Sequence, residues 1–371
     1  PEAPPLVIAH GLYGSARNWG VIARRLADRR EVVAVDMRNH GDSPRFPVQG
    51  YPEMAADLAE VIESLGAPVD LMGHSMGGKA AMQLALTRPE LIRLLRLGVT
   101  RLGITHIRFT GGEPLLYRGL DEVIAATAAL RPRPEIALTT NGIGLSRRAA
   151  ALATAGLDRV NVSLDTVDRY RFAAITRRDR LNDVLEGLDA AADAGLRPVK
   201  VNAVLDPEHG AQDAVDLLQL CLKHGYQLRI IEQMPLDAEH RWDRATAMGA
   251  GDVLAALRSR FDLSPDPAPR GSAPAQLWLV DGGPATVGII ASVSEPFCAS
   301  CDRTRLTADG QIRSCLFATE ETDLRSLLRG GAGDPEIEAA WRTAMWRKAA
   351  GHGINNPDFV QPHRPMSAIG G

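Results

Sequence analysis

Short apolar segments alternate with stretches of helical periodicity from residue 6 to about residue 234, and this alternation restricts the possible folds most. Several apolar segments end in small or polar residues, as strands do where they leave a sheet for a loop. Such alternation predicts parallel sheets covered by helices, an α/β fold. The expected strands are residues 6–9, 32–36, 69–72, 104–110, 135–140, 159–165, 199–205 and 227–234, and the expected helices are 53–65, 79–87, 120–130, 181–194 and 212–224.

Composition and charge argue against several classes of function. The 371 residues include 45% hydrophobic and 23% charged residues and carry a formal net charge of −3. This balance is ordinary for a globular protein, and it argues against a general nucleic-acid or membrane surface. No apolar run approaches the roughly 20 residues of a membrane helix. With four cysteines and no visible signal peptide we expect a cytoplasmic protein, and the start at Pro1 suggests a fragment or a processed chain.

The stretch G-H-S-M-G at residues 73–77 follows an expected strand and precedes an expected helix, as a nucleophile elbow requires. The glycines permit a strained turn and close backbone packing, and Ser75 then stands at a helix N-terminus, where amides can bind an oxyanion. The loop at residues 10–14 fits the second part of an oxyanion hole. Because these features occur together, an elbow is a better interpretation than a glycine-rich turn with an incidental serine.

Residues 5–92 resemble an α/β-hydrolase of the small esterase type. The matching stretches are residues 10–15, 35–43 and 73–79. The resemblance implies that Ser75 is a nucleophile and that the backbone amides of Leu12 and Met76 are oxyanion donors. The triad's acid and histidine should follow on later strands, but beyond about residue 92 the hydrolase resemblance ends. A serine without a base is a poor nucleophile, so we expect no working hydrolase; a serine esterase stays an alternative function.

Three of the four cysteines form the pattern C-x2-C-x13-C, namely Cys298, Cys301 and Cys315. Three thiolates can hold three irons of a 4Fe–4S cluster and leave the fourth iron open. Zinc with one further ligand fits the same spacing, whereas three unrelated core cysteines would be an improbable grouping. Arg303 and Arg305 follow the second cysteine closely, and guanidinium groups suit polyphosphate oxygens and purine edges.

From about Leu91 to Gly371 the sequence resembles the GTP 3′,8-cyclases of molybdenum cofactor biosynthesis, which are radical-SAM enzymes. The motif R-F-T-G-G-E-P at residues 108–114, the strand ends that follow it, the cysteine pattern and the tail at residues 361–371 carry the resemblance. It implies one 4Fe–4S cluster on the three cysteines. It also implies SAM contacts at Gly112, Glu113, Ser163 and Met234, GTP contacts at Arg108, Thr139, Lys200, Arg303 and Arg305, and a Gly370-Gly371 end that enters the active site.

One motif of that family is missing, the C-x3-C-x2-C of the first strand, which holds the cluster that cleaves SAM. No cysteine precedes Cys221, which we interpret as a buried thiol within a helix. We therefore expect a cyclase-like protein that cannot cleave SAM, with GTP, SAM and the downstream cyclic pyranopterin synthase as candidate partners and a homodimer as a candidate assembly. A non-catalytic GTP- and cluster-binding protein is a further alternative.

The chain is thus expected to join a partial α/β-hydrolase sheet to an incomplete radical-SAM barrel. The regions are a truncated hydrolase fragment at 1–92, a partial barrel without its first βα unit at 93–245, and a cluster- and GTP-binding region at 246–371. We expect one helix shared across the junction, kinked or broken at Pro89, and a strand at 69–72 that pairs in parallel with strand 106–110. The incomplete hydrolase sheet should expose an edge and be marginally stable.

Overall fold

The computed structural model describes residues 4–65, 69–83, 88–237, 242–356, 358–362, 364 and 366–369. The chain separates into two compact units, which we call the N-terminal unit (Pro1–Thr87 with Ala308–Gly310) and the C-terminal unit (Arg88–Thr307 with Gln311–Gly371). Both units combine strands and helices, which confirms the α/β prediction. Within the described ranges, every helix is too short or too polar to cross a membrane.

The N-terminal unit is built on a parallel sheet of three strands in the order β2-β1-β3. The strands are β1 (Leu6–Ala9), β2 (Val32–Val35) and β3 (Asp70–Gly73), and the helices are α1 (Gly20–Leu26), α2 (Tyr51–Ser64) and α3 (Met76–Gln83). The central strand β1 is buried along its whole length because it has neighbours on both edges. Val7 packs with Met54 and Leu58 of α2 in one apolar core.

The junction between the two families differs from our prediction. β3 pairs with β1 in the three-stranded sheet, whereas β4 (His106–Phe109) pairs with β5 (Glu135–Thr140) in a separate sheet. Helix α4 (Arg88–Thr100) covers the predicted junction, and residues 84–87, which separate it from α3, lie outside the described residues. Pro89 lies in the first turn of α4, where a missing N–H breaks no helical hydrogen bond. The prediction of a shared sheet was therefore wrong, whereas the shared helix with a kink or break at Pro89 stays a prediction.

The C-terminal unit contains an open sheet of eight strands in the order β4-β5-β6-β7-β8-β11-β10-β9. The further strands are β6 (Arg159–Ser163), β7 (Lys200–Ala203), β8 (Gln227–Ile231), β9 (Leu263–Pro265), β10 (Gln276–Val280) and β11 (Thr286–Ile290). Pairings from β4 to β8 and on to β11 are parallel, and the β11-β10 and β10-β9 pairings are antiparallel. The alternation in the sequence predicted strands β4 to β8 and missed strands β9, β10 and β11.

Helices and a small second sheet complete the C-terminal unit. The helices are α5 (Leu120–Ala128), α6 (Ala149–Ala155), α7 (Arg169–Thr176), α8 (Leu181–Asp193), α9 (Gly210–His224), α10 (Ala250–Arg258), α11 (Leu324–Arg329), α12 (Asp334–Trp346) and α13 (Met366–Ile369). The small antiparallel sheet consists of β12 (Arg305–Leu306), β13 (Gln311–Arg313) and β14 (Thr322–Asp323). Cys221 lies in α9 and is fully buried, as predicted, and burial raises the pKa of its thiol to about 12.

The main apolar core lies between the large sheet and its helices. Ile136, Leu138, Val160 and Val162 are fully buried and pack with Leu188 of α8 and its neighbours. The N-terminal unit is poorer in burial. It holds half of the exposed large hydrophobic side chains among the described residues, although it is less than a quarter of the chain; these are Leu12, Tyr13, Val21, Ile22, Phe46, Val48 and Tyr51. Its marginal stability remains a prediction.

We expect Leu188→Ala to lower the free energy of unfolding of the C-terminal unit by about 2–5 kcal/mol, because it leaves a cavity in the core of the large sheet. Leu116→Ala should change it by less than about 0.5 kcal/mol, since Leu116 is 81% exposed. Urea unfolding followed by circular dichroism measures both. Equal effects of the two substitutions would contradict the assigned core.

Candidate functional site

Five neighbouring parallel strands carry polar and charged side chains on one face of the large sheet. The strand register aligns Arg108 with Ala137 and Ala137 with Arg159, and it aligns Asn161 with Lys200 and Asn202 with Arg229. Because side chains alternate between faces along a strand, all of these residues project from the same face. The opposite face carries the buried apolar residues, among them Ile136, Leu138, Val160, Val162, Val201, Leu228 and Ile230.

We call Arg108, Arg159, Lys200 and Arg229 the cationic row. Burial, followed by repulsion from Arg229, Arg159 and Arg108, lowers the pKa of Lys200 to about 7. Burial and the neighbouring arginines likewise lower the pKa values of Arg108 and Arg229 to about 10. The Arg108 side chain is exposed to solvent, so this end of the row is not sealed in the core. Four basic side chains that repel one another in this way can attract an anion of high charge.

One carboxylate partly neutralises the positive charge of the cationic row. Glu135, the first residue of β5, forms an ion pair with Arg159, and its Oε2 lies 3.5 Å from Nε2 of His106. Burial by itself would raise the pKa of Glu135, but the hydrogen bond and the charge of Arg159 outweigh it and lower the pKa. A single carboxylate leaves the row with a large excess of positive charge.

The segment that follows the second cysteine brings more positive charge to the row. Burial, then repulsion from Arg303 and Arg108, lowers the pKa of Arg305 to about 10, while the nearby Cys315 acts in the opposite direction. Arg303 also lowers the pKa of Arg108. The structure therefore brings four of the predicted GTP residues into one electrostatic group, which holds Arg108, Lys200, Arg303 and Arg305.

Thr139 joins the same face of the sheet through a side-chain hydrogen bond. It is buried on β5, and its hydroxyl oxygen accepts a hydrogen bond of 3.0 Å from the amide Nδ2 of Asn161. Asn161 is itself fully buried on β6, beside Lys200 in the register. Thr139 and Asn161 are uncharged, so this part of the face is suited to a hydrogen bond with a polar group of a ligand rather than to binding a charge.

The loop after β4 is fixed by a carboxylate. Glu113 accepts hydrogen bonds from the Thr140 hydroxyl at 2.7 Å, the Asn141 amide at 2.8 Å and the Leu115 amide at 3.0 Å. These bonds join the loop to the carboxyl end of β5. A side chain at Gly112 would meet nothing within 4 Å, so the backbone there faces open space. Of the other predicted SAM residues, Ser163 is exposed at the carboxyl end of β6, and Met234 packs in a separate apolar cluster with Leu236, Phe317 and Ile354.

Cys298, Cys301 and Cys315 carry free thiols, and all three residues are half-buried. Cys298 begins a short turn that ends at Cys301. Burial alone would raise the pKa of the Cys301 thiol, but hydrogen bonds from Arg303 and Lys348 lower it overall. Within the described ranges, no group of three His, Cys, Asp or Glu side chains converges closely enough for a single metal ion.

The tail that precedes Gly370 and Gly371 is tied to the C-terminal unit, although those two residues themselves lie outside the described ranges. The side-chain amide of Gln361 donates to the Asp237 carbonyl at 2.7 Å, and the Met366 amide donates to the Leu236 carbonyl at 3.0 Å. Arg364 pairs with Glu321 at 2.7 Å.

The predicted serine elbow is present in the N-terminal unit. Ser75 is exposed and has a φ of +50°, a left-handed conformation that is costly for serine and typical of functional turns. A side chain at Gly77 would meet the Ala9 carbonyl oxygen at 2.3 Å, which explains the glycine of the motif. A side chain at Gly11 would lie 3.3 Å from Cβ of Ser75, so the loop bearing Leu12 adjoins the elbow.

The histidines nearby do not supply a base within the described part of the unit. His10 is 1% exposed; its Nδ1 lies 2.7 Å from the Gly11 carbonyl oxygen, and its Nε2 lies 3.1 Å from the Met37 amide, from which it accepts. Nδ1 of His40 lies 2.9 Å from the Arg38 carbonyl oxygen. The Ser75 hydroxyl makes no hydrogen bond to any described residue. Among the described residues, the elbow therefore has no histidine in hydrogen-bonding contact with its serine.

Sequence reasoning missed Arg159, Arg229 and Lys348. The first two interrupt otherwise apolar strands, and a charged residue at an inward position of a buried strand is a signal that could have found them. Lys348 follows α12, nearly fifty residues from the cysteine that it contacts, so only the folded chain brings it to the site.

Three family models match the chain. They are the alpha/beta hydrolase fold at residues 4–97, the Radical SAM superfamily at residues 82–221, and Molybdenum Cofactor Synthesis C at residues 226–354. Together they define a radical-SAM protein of the molybdenum cofactor type joined to a hydrolase segment, as the motifs predicted.

Curated relatives specify the family. A GTP 3′,8-cyclase of Mycobacterium marinum is 75% identical over 76% of this chain and 79% of its own length. GTP 3′,8-cyclase 2 of Mycobacterium tuberculosis is 74% identical over 77% of this chain and 81% of its own length. The chain belongs to the GTP 3′,8-cyclase family. Among solved structures, TYW1 with a lysine–pyruvate adduct bound is 14% identical over 71% of this chain and 74% of its own, with a TM-score of 0.35.

The low pKa of Lys200 predicts a pH-dependent affinity for polyanions. Below about pH 7 the ammonium is charged and binds phosphate oxygens, and above it the amine is neutral. We expect the affinity of the unmodified protein for inorganic tripolyphosphate, divided by that of Lys200→Met, to fall towards one as the pH rises through 7. Calorimetry at several pH values measures the ratio, in which the ligand's own titration cancels. Lys223→Met, at an exposed site on α9, is the control and should give a flat ratio.

Proposed function

We propose that the C-terminal unit binds GTP on the polar face of its large sheet and holds one 4Fe–4S cluster on Cys298, Cys301 and Cys315. The observation that carries the proposal is the cationic row, which lies on the same face as Thr139 and within electrostatic reach of Arg303 and Arg305. The triphosphate would neutralise the row, and the base would lie towards the cysteines.

The residues present fit an iron–sulfur cluster. Thiolate is the ligand that such clusters prefer, and the three thiols are free of disulfides. They need not converge on one point, because a cluster separates its ligands more widely than a single ion does. The pKa of Cys301 is already lowered, which favours the thiolate form that binds iron. When bound, the cluster would supply an open iron to the guanine, and the arginines would hold the phosphates.

We further propose that this chain does not cleave SAM, although the family resemblance implies SAM contacts at Gly112, Glu113, Ser163 and Met234. SAM cleavage needs a second cluster on three cysteines near the first barrel strand, and no cysteine occurs before Cys221. From the sequence and the family resemblance we also propose a cytoplasmic location, a cyclic pyranopterin synthase partner, a homodimer and an active-site role for Gly370-Gly371. The proposed division of the chain is 1–92, 93–245 and 246–371.

Anaerobic reconstitution tests both statements. We expect about four irons per chain, one cluster, together with GTP binding and no 5′-deoxyadenosine from SAM. Cys301→Ser should lower the iron content severely, whereas Cys221→Ala, the control for a thiol in the core, should keep it. Arg108→Met should weaken GTP binding without loss of iron.

Two results would contradict the proposal. Formation of 5′-deoxyadenosine would show that SAM is cleaved. Iron content that is equal in the unmodified protein and Cys301→Ser would remove the three-cysteine site.

A second candidate function is ester hydrolysis at Ser75, favoured by the strained φ of Ser75 and by the adjoining loop with Leu12, whose amide would join that of Met76 in an oxyanion hole. Because no described histidine side chain forms a hydrogen bond with the Ser75 hydroxyl, we expect turnover of a short-chain nitrophenyl ester no faster than that of Ser75→Ala. A rate that falls at least tenfold in Ser75→Ala would establish the esterase instead.

A further inference from the structure

Lys348 forms a contact that neither the motifs nor the family comparison assigns. Its ammonium lies 3.2 Å from Sγ of Cys301, 2.9 Å from the Cys301 carbonyl oxygen and 2.9 Å from the Arg303 carbonyl oxygen. An ammonium has three N–H donors, and here each has one acceptor. The lysine is half-buried, so its position is fixed by these three bonds more than by packing.

The same sulfur has a second cationic neighbour of a different kind. Arg303 approaches it with Nε at 3.4 Å and Nη2 at 3.3 Å, while its guanidinium lies 4.8 Å from the centre of the Phe297 ring. A guanidinium has five donors and a flat face, so Arg303 can turn towards a phosphate without losing every contact. Lys348 has no donor to spare, and two of its three bonds hold backbone carbonyls.

We propose that Lys348 is a positioning residue for the cluster, holding the turn from Cys301 to Arg303 and donating an N–H···S hydrogen bond to the ligand sulfur. The inference rests on the proposed cluster site. Hydrogen bonds to ligand sulfurs and nearby positive charge are two of the means by which a protein tunes such a cluster. Because the reduced cluster carries one more negative charge than the oxidised one, the ammonium stabilises the reduced form and raises the reduction potential.

If Lys348 had a purely structural role, its substitution would change the stability of the protein and not the reduction potential of the cluster. Lys348→Met removes the donor and the charge, Lys348→Gln keeps a donor without the charge, and Lys348→Arg keeps both. Arg347→Met is the matched control, because Arg347 is the adjacent cation but is exposed. The midpoint potential is measured by redox titration with electron paramagnetic resonance, and iron retention by the rate of iron loss to a chelator.

We expect Lys348→Met to lose iron about 10-fold faster or more, as outer-shell substitutions commonly do, and to show a lower midpoint potential. Lys348→Gln should fall between it and the unmodified protein, and Lys348→Arg and Arg347→Met should resemble the unmodified protein. If Lys348→Met does not fold, a lower potential and faster iron loss in Lys348→Gln decide in favour of the proposal.

Other outcomes are decisive against it. An unchanged potential in Lys348→Gln and in any folded Lys348→Met overturns the inference, as does an equal shift in Arg347→Met. If the unmodified protein itself takes up no cluster, the proposed function has failed, and that result is distinct from a cluster-bearing protein whose potential ignores Lys348.

Discussion

Mutual repulsion among like charges on one face of a sheet is the constraint on which the C-terminal unit depends. The cationic row places an ammonium and three guanidinium groups on adjacent strands, and one carboxylate, Glu135, offsets them. Such an arrangement opposes folding unless the core on the opposite face supplies enough apolar burial to hold the strands in register. Fully buried residues such as Leu138 and Val162 supply it. Because an anionic ligand would relieve this repulsion, the repulsion favours the binding of such a ligand.

The strength of that apolar face explains which parts of the fold the sequence could predict. Each strand from β4 to β8 carries apolar residues at alternate positions, and the helices between them repeat with clear periodicity, so the parallel sheet was found nearly strand by strand. Strand β9 was missed because proline residues in 264–274 indicate a loop, while β9 includes Pro265 at the edge of the sheet. Proline is tolerated there because an edge strand does not need every N–H.

The site shows the same division. Residues inside compact motifs, such as Glu113 and Cys301, were assigned from the sequence because the residues that identify each motif lie close together in the chain. Arg229 and Lys348 were not assigned, because their roles come from strand register and from a contact across nearly fifty residues. Periodicity gives the face that a residue occupies, but not its neighbours on other strands. Burial and those neighbours together decide whether a cation is an ordinary solvated group or, like Lys200, one with a pKa of about 7.

The failed prediction of a shared sheet has a local physical cause. Backbone hydrogen bonds join the serine elbow to the end of β1. The His74 amide donates to the Ala9 carbonyl at 2.9 Å, and the Gly77 amide donates to the His10 carbonyl at 3.0 Å. A side chain at Gly77 would collide with that backbone, so the two segments fit only as direct neighbours. Transferring β3 to the edge of β4 would break these bonds and expose Met76, which the core of the N-terminal unit buries. The family resemblance predicted that a strand is missing next to β4. The packing of the elbow nevertheless holds β3 beside β1, in the sheet of the hydrolase-like segment.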